Sequence, residues 1–468
     1  MLSYTSKGEN SMKTKNKFTG RIGFIMAAAG SAVGLGNLWR FPYLAAKHGG
    51  GTFLVIYVIL AVTFGFALMI TEIAMGRRTE RSVLTAYGVF NPKFKILGAI
   101  GALVPMIITP YYCVIGGWIT HYMATYVSGR GNEAVSSNYF TDFITGWKIP
   151  LLCLVIYVAV NAIIVSAGVQ KGIENFSKVL MPVLVILSIV IAIYGLTNEG
   201  GVDGLVYYLK PALHGATPEA KATNLVQAII AAAGQLFYSL SIAMGILITY
   251  GSYMKRSEPI EGCVRKIEIL DTLIAFIAGL IVVPSVFIFA GGEAAASTSG
   301  PSLMFVMLPK VFHTMAFGNV IGALFFFLVF LAALTSSIAL METIVAVVEE
   351  VTHCRRLTAS FVTAIGIFLV GIPSMLGYGV WAHIRPLGMQ FLDFFDFISN
   401  TIMMPILAFL TCILIGYVAK PKVIKEEVLK SETRFKSEKL YNLMIRYVAP
   451  IFLVAILATS IIQLFGAR

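Results

Sequence analysis

The chain has 468 residues, of which 58% are hydrophobic and only 12% charged. A soluble globular protein carries about twice that share of charge, and the composition equally excludes a disordered, collagen-like or disulfide-built chain. The net charge of +12 raises nucleic-acid binding as an option, to be weighed against the basic loops of a polytopic membrane protein.

A helix needs about 20 apolar residues to cross the ~30 Å hydrocarbon core. Windows of about that length without Asp, Glu, Lys or Arg lie at 22–39, 48–71, 96–129, 149–170, 179–198, 222–254, 272–292, 311–341, 357–384, 397–419 and 447–467. They predict an all-α polytopic membrane protein of eleven helices. Runs such as 151–165 lack the alternation of a barrel strand. With the N-terminus inside, 26 of the 35 Lys and Arg fall in inner segments, the sorting expected of cytoplasmic loops. The basic excess therefore reads as topology, and no nucleic-acid partner is expected. The expected location is the cell (plasma) membrane, the inner membrane of a bacterium. The N-terminus is cytoplasmic and, after eleven crossings, the C-terminus extracellular. Residues 1–21 are polar and basic, with no signal-peptide cleavage site after them. Five cysteines (Cys113, Cys153, Cys263, Cys354, Cys412) lie in or beside these windows without CxxC spacing, and read as small buried residues.

Two windows differ from plain apolar helices. The first contains Gly30, Gly34 and Gly36 with Ser31 and Asn37; the sixth contains Gly234, Ser239, Ser241 and Gly245. Each glycine weakens a helix by about 1 kcal/mol relative to alanine, and non-helical backbone at membrane depth survives only inside protein or beside a polar cavity. A small-residue packing face is the alternative reading. The second weak helix comes five helices after the first, which points to an inverted repeat with its site at the repeat interface. Residues 1–21 are then a cytoplasmic segment and 22–198 the first repeat, followed by an extracellular loop at 199–221. The second repeat covers 222–419, a basic cytoplasmic loop 420–446, and an added helix 447–468.

Gly30-Ser-Ala-Val-Gly-Leu-Gly-Asn-Leu-Trp-Arg-Phe-Pro42, followed by Gly49-Gly-Gly-Thr-Phe53, closely resembles the first-helix signature of the neurotransmitter:sodium symporter family. So do Gly234-Gln-Leu-Phe-Tyr-Ser-Leu-Ser241, Gly300-Pro-Ser-Leu-Met-Phe-Val-Met-Leu-Pro309 and Leu334-Thr-Ser-Ser337. The resemblance runs from about residue 18 to 465, and eleven helices match its prokaryotic amino-acid transporter branch. It implies two sodium ions. The first falls on the Ala32 carbonyl, Asn37, Ser239 and Asp271. The second falls on the Gly30, Val33 and Ala332 carbonyls with the Thr335 and Ser336 hydroxyls. Without the resemblance, those hydroxyls would be expected to bond a carbonyl one turn back.

For the substrate, the resemblance places a carboxylate at the helix-end amides around Ala32, Gly34 and Gly36, with the Tyr112 hydroxyl as donor. Ile108, Tyr112, Tyr238, Ser241, Ala243, Met244, Ser336 and Leu340 would line an apolar side-chain pocket. Monoamine-carrying relatives have aspartate at the position of Gly34, so glycine implies amino-acid transport, and the lining without charge implies a neutral, hydrophobic or aromatic amino acid. Glu72 is expected to support unwound helix six. Chloride-dependent relatives have asparagine at 271 and serine four residues on. Asp271 and Ala275 therefore imply chloride independence, and Asp271 is a candidate to take a proton on the return step. Arg40 is expected to close the outside against Asp396, with Asp393 as the second choice. Lys15 and Glu350 are expected to close the inside, with Phe18 in place of the usual tryptophan. Gly172 and Pro182 read equally as an unwinding segment of helix five or as a loop glycine and a kink. Glu342, mid-helix eight, is expected to be paired or to face an aqueous cleft.

The reading is a sodium-coupled amino-acid symporter working by alternating access in a lipid bilayer. A cation channel and a non-transporting amino-acid-binding receptor are the alternatives. An enzyme is not expected, because no HExxH or Gly-x-Ser-x-Gly motif occurs. The oligomeric state is not legible in the sequence.

Overall fold

The computed structural model describes residues 17–213, 217–297 and 300–466. Among these residues the regular structure is helical, and one isolated bridge joins Gly50 to Pro211. Nine of the described helices are long and apolar enough to cross a membrane: Gly51–Thr79, Pro92–Val127, Lys148–Ser166, Val169–Thr197, Ile260–Phe289, Gly318–Thr352, Arg356–Leu376, Phe391–Val418 and Glu438–Thr459. A bent pair precedes them, Arg21–Ala32 and Gly36–Lys47, with 52° between its halves. A second broken pair, Pro218–Ser239 and Ile246–Tyr253, fills the sixth predicted window across residues 240–245. In chain order these are spans 1 to 11, with spans 1 and 6 broken where glycine and polar residues cluster.

Burial sorts the spans into centre and rim. The apolar windows of spans 3 and 8 are 72% and 83% buried, whereas those of spans 4, 5, 9 and 11 are only 28–39% buried. Outward-facing Ile156, Ile163, Val179, Ile186, Phe361, Leu369 and Ile451 are exposed. Such a surface suits lipid, where a helix keeps every backbone hydrogen bond within itself. Four of the five cysteines are buried and free, and Cys354 is partly exposed.

Several span ends differ from the charge-free windows. Span 2 continues through Glu72 and Arg77 to Thr79, span 7 starts at Ile260, ahead of Glu268 and Asp271, and span 8 runs through Glu342 to Thr352. Span 10 begins at Phe391, before Asp393 and Asp396. These charges face protein partners or an outer cavity, so the helix carries them without exposing them to hydrocarbon. Arg77 and Glu427 form a wholly buried pair at 2.8 Å. In span 5 the irregular turn is Val169–Glu174, around Gly172, and the helix Asn175–Thr197 passes through Pro182 unbroken. Gly50 opens span 2 with φ +53° and sits where a Cβ would lie 2.6 Å from the Tyr207 and Tyr208 carbonyl oxygens. The triple glycine is thus a close backbone crossing as well as a conformational need.

Candidate functional site

The two breaks meet. In span 1, Val33 leaves the helix (φ −73°, ψ 101°) while its N–H still donates to the Ala29 carbonyl. Beyond it, the Gly34 N–H donates to Oδ1 of Asn37 at 3.2 Å. In span 6, Ser241 (φ 54°), Ala243 (φ 60°) and Gly245 (φ 74°) are left-handed, which costs an L residue about 1–2 kcal/mol. The surroundings hold that shape. Glu72 Oε1 accepts from the Ala243 N–H at 2.8 Å, and Ser241 Oγ donates to the Ser31 carbonyl at 3.1 Å. Glu72 is buried inside span 2, so its carboxylate acts as a fixed bracket for the broken helix.

Asn37, Ser239 and Asp271 converge at the junction of spans 1, 6 and 7. Asn37 Nδ2 donates to Ser239 Oγ at 3.0 Å and to Asp271 Oδ1 at 2.8 Å. Ser239 Oγ donates toward both Asp271 oxygens, at 3.0 and 2.9 Å, and the Tyr57 hydroxyl donates to Oδ2 at 3.2 Å. Gln235 Nε2 donates to the Gly36 carbonyl at 2.9 Å. All five side chains are fully buried. The donor set is carboxylate, hydroxyl and amide oxygen, suited to a hard cation. The amide of Asn37 now turns its nitrogen to the carboxylate, so a cation there requires it to rotate and present Oδ1.

A second oxygen cluster lies between spans 1 and 8. Ser336 Oγ donates to the Ser31 carbonyl at 3.0 Å and the Val33 carbonyl at 3.3 Å. Thr335 Oγ1 bonds back to Leu331 and Ala332 carbonyls at 3.2 and 3.0 Å. The Thr335 side chain nonetheless abuts Gly30, where a Cβ would lie 3.3 Å from its own Cβ. Gly30, Val33, Ala332, Thr335 and Ser336 are therefore neighbours, with Thr335 in the back-bonded arrangement that its sequence position alone suggests.

Between the clusters lies a small cavity of about 20 Å³, walled by Ala32, Gly34, Gly36, Ile108, Tyr112, Tyr238, Ser241, Met244, Ser336 and Leu340. Ser31, Leu35 and Ile246 complete the wall; of these the sequence marks only Ser31, as a polar residue of the break. Leu35 lies inside the glycine-rich break, so the break was a usable signal for it as well. One expected wall residue is absent: Ala243 has its N–H turned to Glu72 and its side chain buried away from the cavity. The wall carries no charged side chain. Gly34 and Gly36 are close-approach positions, because a Cβ on Gly34 would lie 2.5 Å from Ser336 Oγ and one on Gly36 2.3 Å from the Tyr238 ring. The Tyr112 hydroxyl accepts from the Leu35 N–H at 3.4 Å.

Tyr238 separates this cavity from an outer one of about 590 Å³, whose wall includes Arg40, Tyr111, Phe237, Asp393, Asp396 and Asn400. The Arg40 guanidinium sits 5.8 Å from the Tyr238 ring centre. Among the described residues no ion pair joins Arg40 to Asp396. That carboxylate accepts from Tyr111 at 3.0 Å and Asn400 at 2.6 Å.

Lys15 lies outside the described residues. Glu350 accepts from the N–H of Ser82, the residue before the helix Val83–Phe90, at 2.7 Å and from the Thr85 hydroxyl in its first turn. The Phe18 ring packs edge-on to Phe24 and Tyr250, both at 5.6 Å. Lys17 pairs with Glu80 at 3.4 Å, and Glu174 accepts from the Thr19 N–H at 2.8 Å. Glu342 pairs with Arg356 and accepts from the Tyr253 hydroxyl at 2.8 Å. The sequence named no partner for Glu342; Tyr253 and Arg356 stand on spans 6 and 9.

The model of the sodium:neurotransmitter symporter family matches residues 15–139 and 144–467. An uncharacterized sodium-dependent transporter of Bacillus subtilis, YhdH, is 34% identical over 88% of this chain and 89% of its own. One from Haemophilus influenzae is 32% identical over 96% and 100%. Among solved structures, that of MhsT in complex with L-phenylalanine matches with a TM-score of 0.84 at 33% identity, covering 95% of this chain and all of that one.

Proposed function

We propose, for a chain that belongs to the sodium:neurotransmitter symporter family and is therefore a sodium-dependent transporter rather than an enzyme, that its cargo is a neutral, hydrophobic or aromatic amino acid moved inward with sodium and without chloride. The observation that carries this reading is the uncharged cavity enclosed by the two helix breaks. Backbone amides at a helix start favour a carboxylate, and Gly34, Gly36 and Tyr112 leave that end of the cavity polar. The rest is apolar, with Met244 able to change shape. MhsT, similar over nearly the whole chain, is solved with L-phenylalanine, which supports the same class.

Sodium is cargo here. Asn37, Ser239, Asp271 and the Ala32 carbonyl would hold one ion next to the substrate carboxylate. The Gly30, Val33 and Ala332 carbonyls with Thr335 and Ser336 would hold a second. Asp271 supplies a fixed negative charge that a neutral residue would have to borrow from an anion. Alternating access follows from the layout: spans 1, 2, 6 and 7 rock against 3, 4, 8 and 9, and Tyr238 closes over the cargo. Arg40 and Asp396 meet above it. At about 20 Å³ the cavity has room for about one water, so loading requires its walls to part. The N-terminus is cytoplasmic in the cell membrane and the C-terminus extracellular, and Lys15 and Glu350 belong to the inner closure.

The test is competition for sodium-driven uptake of tritiated L-phenylalanine in proteoliposomes. Tryptophan, leucine and similar neutral amino acids compete, whereas lysine and glutamate do not; failure of every neutral amino acid contradicts the specificity. Replacing chloride with gluconate leaves uptake unchanged, and its collapse contradicts the role given to Asp271. Gly36→Ala forces the Tyr238 ring aside. Overpacking of this kind costs about 1–3 kcal/mol, so half-saturation by the substrate rises roughly 5- to 150-fold. Unchanged half-saturation would show that the glycine is dispensable.

A further inference from the structure

Three successive hydroxyls, Thr335, Ser336 and Ser337, stand on span 8, and they do not share one side. The first two face span 1, as described. Ser337 is turned to span 4, where its Oγ donates to Asn161 Oδ1 at 2.7 Å and lies 3.0 Å from the Tyr157 hydroxyl. Asn161 Nδ2 donates to the Tyr157 carbonyl one turn back, at 2.8 Å. Its amide is thereby oriented with Oδ1 outward, and Ser337 is the donor that satisfies it. Tyr157, Asn161 and Ser337 are all buried. Gly116 of span 3 makes room for the Tyr157 ring, since a Cβ there would lie 2.3 Å from it. Ser337 Oγ also lies 3.1 Å from the Leu334 carbonyl one turn back, but its single proton goes to the nearer Asn161 oxygen, which leaves the Tyr157 hydroxyl to donate to Ser337. The chain of bonds therefore runs in one direction, and a buried polar network of this kind rigidifies its surroundings.

We propose that Asn161 and Ser337 are positioning residues for sodium, fixing the rotation of span 8 so that Thr335 and Ser336 stand at the right distance from the span 1 break. The proposal rests on the assignment of the second sodium position to those two hydroxyls. Its physical basis is leverage. With Cα atoms at about 2.3 Å from the helix axis, a side-chain oxygen stands at about 4 Å. A rotation of roughly 20° therefore moves it about 1.4 Å, more than a metal ligand tolerates. Apolar packing alone specifies such a rotation weakly, because one aliphatic contact replaces another. A hydrogen bond on the face opposite the ligands does not slide in that way.

The test uses the full chain purified in detergent, with sodium alone as the probe. Thermal stability is followed as sodium replaces choline at constant ionic strength, since an ion that binds the folded form raises the melting point by mass action. Interhelical bonds of this kind predict that Asn161→Leu and Ser337→Ala each raise half-saturating sodium by about 3- to 15-fold. The double variant should be no worse than either single one. Ser337→Thr, which keeps the hydroxyl, should stay near the parent value, and Thr335→Ala should shift at least as far as Asn161→Leu. If Asn161→Leu fails to fold, Ser337→Ala, the smaller change, carries the comparison. Should both variants melt lower without sodium yet keep the parent half-saturation while Thr335→Ala shifts, the positioning role is overturned and the site stands. An unshifted Thr335→Ala overturns the site and the positioning role with it.

Discussion

Asn37→Ala is expected to abolish concentrative amino-acid uptake while the protein still folds. The Asn37 side chain, at the start of the second half of span 1, ties the break to spans 6 and 7. It caps the Gly34 N–H and reaches Ser239 and Asp271. With the amide rotated, Oδ1 faces the ion. Taking that contact as worth what a hydrogen bond to a charged group contributes, about 1.5–3 kcal/mol, its loss corresponds to roughly 10- to 150-fold in affinity for a cation at this position. The loss exceeds this simple figure because the amide also sets the angle at which the Gly34 and Gly36 amides face the cavity. Uptake should fall to background, with the size-exclusion profile unchanged. Accumulation at the parental rate would remove Asn37 from the ion site.

Arg77→Met is expected to have the largest effect on stability. Its guanidinium is fully buried, bonded to Glu427 at 2.8 Å and to the Glu258 carbonyl at 2.7 Å. It thus pins the segment after span 10 to the end of span 2 and to the loop between spans 6 and 7. Removing one partner of a buried pair costs about 3–5 kcal/mol, whereas replacing both with apolar residues of similar volume is often neutral. Arg77→Met should therefore lower the melting temperature clearly. The double variant Arg77→Met, Glu427→Met should recover much of that loss, although the Glu258 carbonyl stays unpaired. Equal losses in the single and double variants would show that the guanidinium's other bonds, to the Glu258 and Glu427 carbonyls and to Ser431, rather than the ion pair, hold the loop.

Much of the architecture was legible because lipid imposes a simple rule. Apolar runs of the right length become spans, and glycine with polar residues at membrane depth becomes a break. Hence both breaks fell where Gly34, Asn37 and Ser241 stood. The span ends were less legible, because a charge-free window cannot tell Glu342, buried against Arg356 and Tyr253, from a carboxylate in a loop. The same limit applies to the inner face. Thr19 with Glu174, and Arg77 with Glu427, join segments far apart in sequence, and no local pattern announces them. Ala243 shows a finer limit. Its neighbours Ser241 and Met244 reach the cavity, but the left-handed turn at 243 aims its backbone at Glu72, and spacing along the chain does not report that reversal.

One flux measurement tests sodium coupling most directly. Proteoliposomes loaded with potassium are diluted into sodium medium containing tritiated phenylalanine, tryptophan and leucine, and the internal label is followed over time. Coupled transport predicts a transient rise above the bath concentration that disappears when sodium is equal on both sides or replaced by choline. Label that only equilibrates, whatever the sodium gradient, would contradict coupling and return the protein to the class of channels or passive binders.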